Sequence, residues 1–122
     1  MTERNVWSAV CEWQRLQPGR GVAAWIGGRA VAIFRTHADD LYAVANMDPF
    51  SAASVLSRGL IGDDGGVAVL ISPMYKQRFA LATGVCLDDP GVSVPTFEVR
   101  VRAGVIEVAH HVSSLAVIEG AP

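Results

Sequence analysis

Short apolar runs alternate with glycine-bearing polar breaks along most of this chain. That rhythm predicts antiparallel β-structure. Residues 7–10 predict a first strand, and residues 22–26 and 30–35 flank Gly27-Gly28-Arg29. Those two glycines suit a tight hairpin because they take positive φ at little cost. Leu41–Ala45 predicts a further strand after the polar break His37-Ala38-Asp39-Asp40. Residues 61–63 and Val67–Ile71 flank the turn-rich Asp64-Gly65-Gly66, and residues 97–102 and 105–109 form a last hairpin around Ala103-Gly104. Pro95 falls where the start of a strand tolerates a missing N–H.

One segment breaks the rhythm. Residues 48–59 predict a short helix, with Asp48 as N-cap, Pro49 at the first helical position and Gly59 just beyond the end. The Asp48 carboxylate there accepts a backbone N–H and favours the positive end of the helix dipole. Residues 110–122 lose the strand pattern and are expected to form a C-terminal tail, frayed or ordered only against a partner.

Bulk properties narrow the class. With 122 residues, 51% of them hydrophobic, the chain can bury a core without disulfide or metal staples, as one domain over residues 1–109. A net charge of −2 and scattered basic residues without interleaved aromatics argue against a nucleic-acid partner. No apolar run reaches the roughly 20 residues that cross a bilayer, and no basic stretch leads into an apolar one near Met1. The expectation is a cytoplasmic protein without a membrane segment. Cys11 and Cys86 are far apart and form no Cys-x-x-Cys pair, so they are expected as small apolar residues, with a disulfide between them disfavoured.

Catalytic constellations are missing from the sequence. His110 and His111 are adjacent, and on a strand their rings point to opposite faces, which is poor geometry for chelating one metal. His37 stands alone in a turn. No phosphate-binding glycine loop and no Gly-x-Ser-x-Gly elbow occurs. The pairs Asp63-Asp64 and Asp88-Asp89 lack the spacing of a calcium loop and read as turn residues. Trp7 and Trp25 lie on predicted strands, Trp13 lies in a polar stretch, and none is assigned a binding role.

Two stretches carry a resemblance. In a Rieske protein, two cysteines and two histidines hold a 2Fe–2S cluster; the loops read Cys-x-His and Cys-x-x-His, and a Phe-x-Leu-x-Thr-Gly strand and turn follows the second. Here Phe79, Leu81, Thr83 and Gly84 keep the strand and turn, whereas Asp48, Phe50, Ser72 and Tyr75 occupy the four ligand positions. A phenyl ring has no lone pair to offer iron. The runs Asp48-Pro49-Phe50-Ser51, Ser72-Pro73-Met74-Tyr75-Lys76-Gln77-Arg78-Phe79 and Cys86-Leu87-Asp88-Asp89-Pro90 make the chain similar to the small subunit of bacterial NAD(P)H-dependent assimilatory nitrite reductase. The likeness spans about residues 5–109.

The resemblance implies an all-β, Rieske-like fold of two packed antiparallel sheets, plus a smaller loop-rich subdomain with one short helix over residues 46–84. It implies an accessory subunit of an oxidoreductase with no catalytic residue and no cofactor of its own. FAD, an iron–sulfur cluster and sirohaem belong to the partner large subunit, where nitrite becomes ammonium in nitrate assimilation. The emptied tip is expected to pack Phe50 and Tyr75 into the space of a cluster, with Asp48, Ser72 and the Tyr75 hydroxyl hydrogen-bonded across the loops and Lys76 paired to Asp48. Met47, Phe50, Met74 and Tyr75, rimmed by Lys76, Gln77 and Arg78, are the expected partner interface, because aromatic, Met and Arg side chains are enriched there. The alternatives are a cluster-bearing electron carrier, opposed by the ligand chemistry, and a cluster-free binding or assembly module for another partner.

Overall fold

The computed structural model describes residues 3–113, which form ten strands in three antiparallel sheets. β1 (Glu3–Glu12), β10 (Val105–Ser113) and β9 (Val99–Arg102) make the first sheet, in the order β1-β10-β9. β2 (Arg20–Ile26), β3 (Arg29–Arg35), β4 (Leu41–Ala45) and β8 (Thr96–Phe97) make the second, in the order β2-β3-β4-β8, the chain crossing over between β4 and β8. β5 (Leu60–Asp64), β6 (Val67–Ile71) and β7 (Arg78–Ala80) form a small third sheet, which carries the subdomain. The all-β architecture is the one expected.

β3 lies at the centre because both of its faces are apolar, and four consecutive residues, Val31 to Phe34, are buried. Val31 and Ile33 point towards the first sheet and meet Ile26, Ala43, Ile106 and Val108. Ala32 and Phe34 point the other way and meet Val44, Leu56, Leu70, Phe79 and Leu81 of the subdomain side. One strand thus joins two cores, and the period of two in its side chains decides which residue belongs to which.

Several predicted boundaries move. β1 begins at Glu3, well before residue 7, and bulges between Ala9 and Cys11. The last hairpin is interrupted at Glu98, where the chain leaves the second sheet for the first. β10 runs on through His110 and His111, which face Val6 and Asn5 across the ladder, so the strand continues past residue 109 to Ser113. The remainder of the expected tail, residues 114–122, lies outside the described residues.

The predicted helix over residues 48–59 does not form as one element. Asp48 starts a turn, the chain then extends through a bridge between Met47 and Ser54, and a single 3-10 turn follows at Leu56–Arg58. The Asn46 side chain drives this: its amide donates to Ser54 Oγ (2.9 Å), and its carbonyl accepts from the Ser57 N–H (2.7 Å). Those bonds hold the segment against β4 and leave no continuous helical ladder.

The tryptophans divide sharply. Arg100 stacks on Trp7 and Arg35 on Trp13, each guanidinium carbon 3.8 Å from the ring centre. Trp25 is 74% exposed. Both cysteines are free thiols, Cys86 buried in the subdomain core and Cys11 half-buried on β1. Burial pushes the Cys11 thiol above its ordinary value.

Candidate functional site: two twinned loops

The two loops that begin at Asp48 and Ser72 have the same backbone design. In the first, the Asp48 N–H donates to the Ala53 carbonyl (2.8 Å) and the Asp48 carbonyl accepts from the Ala52 N–H (2.8 Å). In the second, the Ser72 N–H donates to the Gln77 carbonyl (2.9 Å) and the Ser72 carbonyl accepts from the Lys76 N–H (3.1 Å). The fifth residue of each is left-handed, with φ of 59° at Ala52 and 61° at Lys76. Neither is glycine, so each loop holds a non-glycine residue in a conformation that such residues seldom adopt.

Side chains repeat the pattern. Asp48 Oδ1 accepts the Phe50 N–H (2.8 Å), and Ser72 Oγ accepts the Met74 N–H (3.3 Å). Each loop therefore folds around its first side chain. The two leading residues also meet: the Ser72 hydroxyl donates to Asp48 Oδ2. Both are buried, Asp48 completely. A buried carboxylate is costly unless its oxygens are satisfied, and here one oxygen holds its own loop and the other holds its twin.

The expected ion pair between Lys76 and Asp48 does not form. Asp48 is sealed inside the joint, and Lys76 is exposed on a left-handed turn that carries it to the surface. Tyr75 does not fill the cluster space either, being 60% exposed, and its hydroxyl takes no part in the joint. Phe50 does turn inward, tilted by 50° against Phe79 with ring centres 6.2 Å apart. Met47 and Met74 flank the joint and are exposed. Arg78 lies below it, bridging Asp64 (3.2 Å) and Asp88 (3.0 Å). Its side-chain hydrogen bond holds the Asp88 carboxyl below the usual carboxylate value.

The turn after the second loop keeps its form. Phe79 and Leu81 are buried in the subdomain core, and the Val85 N–H donates to Thr83 Oγ1. Gly84 has φ of 79°, and a Cβ there would strike the Val94 carbonyl oxygen. The turn needs glycine on both counts.

Residues 6–109 match the family model described as a Rieske-like [2Fe-2S] domain. The chain is 46% identical over 103 residues to the nitrite reductase (NADH) small subunit of Salmonella typhimurium, which covers 84% of this chain and 95% of that one. It belongs to the nitrite reductase small-subunit family. The likeness of fold to a member of that family is close. A Mycobacterium tuberculosis crystal structure, assigned as an NADH-dependent nitrite reductase small subunit, superposes with a TM-score of 0.86 at 49% identity, covering 90% of this chain and 98% of that one. The Klebsiella oxytoca nitrite reductase [NAD(P)H] large subunit contains the same domain, 40% identical over 104 residues, covering 85% of this chain and 11% of that protein.

The family model is named for a cluster, and this small subunit's residues do not suit one. A Rieske cluster requires two thiolates on one iron and two imidazoles on the other. Asp48 and Ser72, which the sequence resemblance aligns with the thiolates, are hydrogen-bonded to each other, and Phe50, which it aligns with an imidazole, offers no lone pair. Cys11, Cys86, His37, His110 and His111 all lie outside the two loops. Among the described residues no three metal-ligating side chains come together.

Sequence reasoning brought together the leading residues of the loops and placed Phe50 near them. It missed the left-handed residues Ala52 and Lys76, whose types signal nothing unusual. It also missed the exposure of Trp25, which alternation along β2 places on a face but cannot show to be uncovered.

Proposed function

We propose that this chain is the redox-silent small subunit of a cytoplasmic, assimilatory nitrite reductase. It binds a large subunit that carries FAD, an iron–sulfur cluster and sirohaem, takes electrons from NAD(P)H and reduces nitrite to ammonium. The chain supplies neither a catalytic residue nor a cluster. Its part is to cover and order a surface of the large subunit with the exposed side of the twinned loops, where Met47, Met74, Tyr75 and Lys76 reach solvent.

The observation that carries this reading is the occurrence of the domain inside the Klebsiella large subunit. A domain found both free and fused supports a one-to-one contact, because fusion raises its effective concentration without new chemistry. Phe50 and Arg78 contribute to that surface from beneath, the first through Phe79 and the second through its two carboxylates.

The test is nitrite-dependent NAD(P)H oxidation by the cognate large subunit, titrated with this chain. Saturable stimulation at an equimolar ratio is expected. An unchanged rate together with no co-elution on a sizing column would reject the assignment.

A further inference from the structure

Resting on the large-subunit reading above, we propose that Trp25 anchors the contact with the large subunit, on a face running from the outer strand β2 to the twinned loops. The placement follows from register. Trp25 pairs with Ala30 across β2 and β3, and the Asn46 N–H donates to the Ala30 carbonyl (3.0 Å), so the three residues form one row across the sheet. Directly paired residues of antiparallel strands share a face. That face is the one Ala32, Phe34 and Val44 turn to the subdomain. Asn46 in the same row grips Ser54, just past the first loop, and Ser57 of the 3-10 turn. Trp25 is therefore two strands, about 10 Å, from the residue that holds the loop.

Only small side chains lie between. Ala30 stands between Trp25 and Asn46, and the neighbouring positions on β2 facing this way are Ala23 and Gly21. The 3-10 turn closes over Gly21, where an added Cβ would lie 2.8 Å from the Ser57 carbonyl oxygen. It leaves Ala23 and Trp25 exposed. The result is a low shelf with an indole at one end and the loop held by Asn46 at the other.

What Trp25 lacks sets it apart. Trp7 and Trp13 each carry a stacked guanidinium, while no charged group of the described residues stacks on Trp25. A bare, exposed tryptophan is the residue type enriched at interface centres.

Charge indicates the kind of surface that fits. Residues 41–62 and 65–87 contain one carboxylate, Asp48, and it is buried. The charges these segments show to solvent are Arg58, Lys76 and Arg78, the last already matched by Asp64 and Asp88. The occupant is thus an apolar surface of the large subunit with carboxylates at its rim, opposite Arg58 and Lys76.

The experiment measures binding of the full chain to the cognate large subunit by calorimetry. Trp25→Ala is expected to weaken binding at least about tenfold while leaving the thermal midpoint of the free chain unchanged. Val101→Ala, an exposed apolar residue on β9, is the control and is expected to bind as the unaltered chain does. Arg58→Glu with Lys76→Glu is expected to weaken binding most at low salt, with the difference shrinking as salt is raised. Unaltered affinity for Trp25→Ala, or an equal loss for Val101→Ala, would overturn the face while leaving the large-subunit reading standing. No binding by the unaltered chain would overturn both.

Discussion

The hydroxyl of Ser72 donates to the carboxylate of Asp48 across the two twinned loops, and both residues are buried. This one contact ties the first loop to the second, because each partner also organises its own loop through a backbone N–H. Ser72→Ala leaves the Asp48 oxygen buried without its donor and is expected to lower unfolding stability by about 2–3 kcal/mol. Asp48→Ala costs more, since the Phe50 and Ser51 N–H groups lose their acceptor as well. Urea unfolding measures both. Equal stability of Ser72→Ala and the unaltered chain would show that the joint contributes nothing.

Phe50 and Tyr75 separate into different roles. Phe50→Ala removes a ring packed on Phe79 and is expected to cost about 2–4 kcal/mol, somewhat less than a fully buried phenylalanine. Tyr75→Ala touches an exposed side chain and is expected to change stability by less than about 0.5 kcal/mol. Its effect should appear in the affinity for the large subunit. Parallel melting curves and binding isotherms decide the matter, and a large loss of stability in Tyr75→Ala would contradict it.

Gly84→Ala is expected to be among the most damaging exchanges of one small residue for another. The backbone there is left-handed and the new methyl meets the Val94 carbonyl oxygen, so turn and neighbour must both shift. Gly28→Ala, also at positive φ but with open space around it, is the matched comparison. The difference between their denaturation midpoints measures the crowding alone.

Asp88 carries a pH signature. Its hydrogen bond from Arg78 lowers the folded carboxyl below the ordinary value of 3.8. A lowered carboxyl stabilises the fold above the unfolded value, and that stabilisation is lost as pH falls through the folded one. The chain should therefore lose this contribution only in acid, below about pH 4. Asp88→Asn is expected to flatten the thermal midpoint against pH in that window. The effect is small and salt-sensitive, because the pair is open to solvent. An acid limb identical in both proteins would show that Asp88 is unlinked to folding.

Much of the architecture was written in local pattern. Alternation marked β2, β3, β4 and β6 to within two residues, and Gly27-Gly28 marked their hairpin, with φ of 56° and 85°. The joint between Asp48 and Ser72 followed from their equivalence to a ligand pair. What failed depended on contacts distant in sequence. The start signals at Asp48 and Pro49 were sound, but Asn46 holds Ser54 and Ser57 too firmly for the helix to continue. His110 and His111 resemble a strand end, yet β1 supplies a ladder that carries β10 beyond them. Lys76 was adjacent in sequence to a ligand position, but a left-handed turn reversed its direction. Trp25 has a period-two address on β2, and only the placement of the subdomain reveals that nothing in the described fold covers it.

The twinned loops have a consequence for how such a protein is made. Where iron bridges two loops, folding waits on metal delivery, and chelators or oxidants that strip the metal also undo the shape. Here a hydrogen bond between two buried side chains closes the corresponding gap, and it forms with the fold itself. The joint between the loops is made from the chain's own atoms. Chelators and oxidants that would open an iron-bridged pair of loops have no target in this joint, whose closure depends on burial and hydrogen bonding.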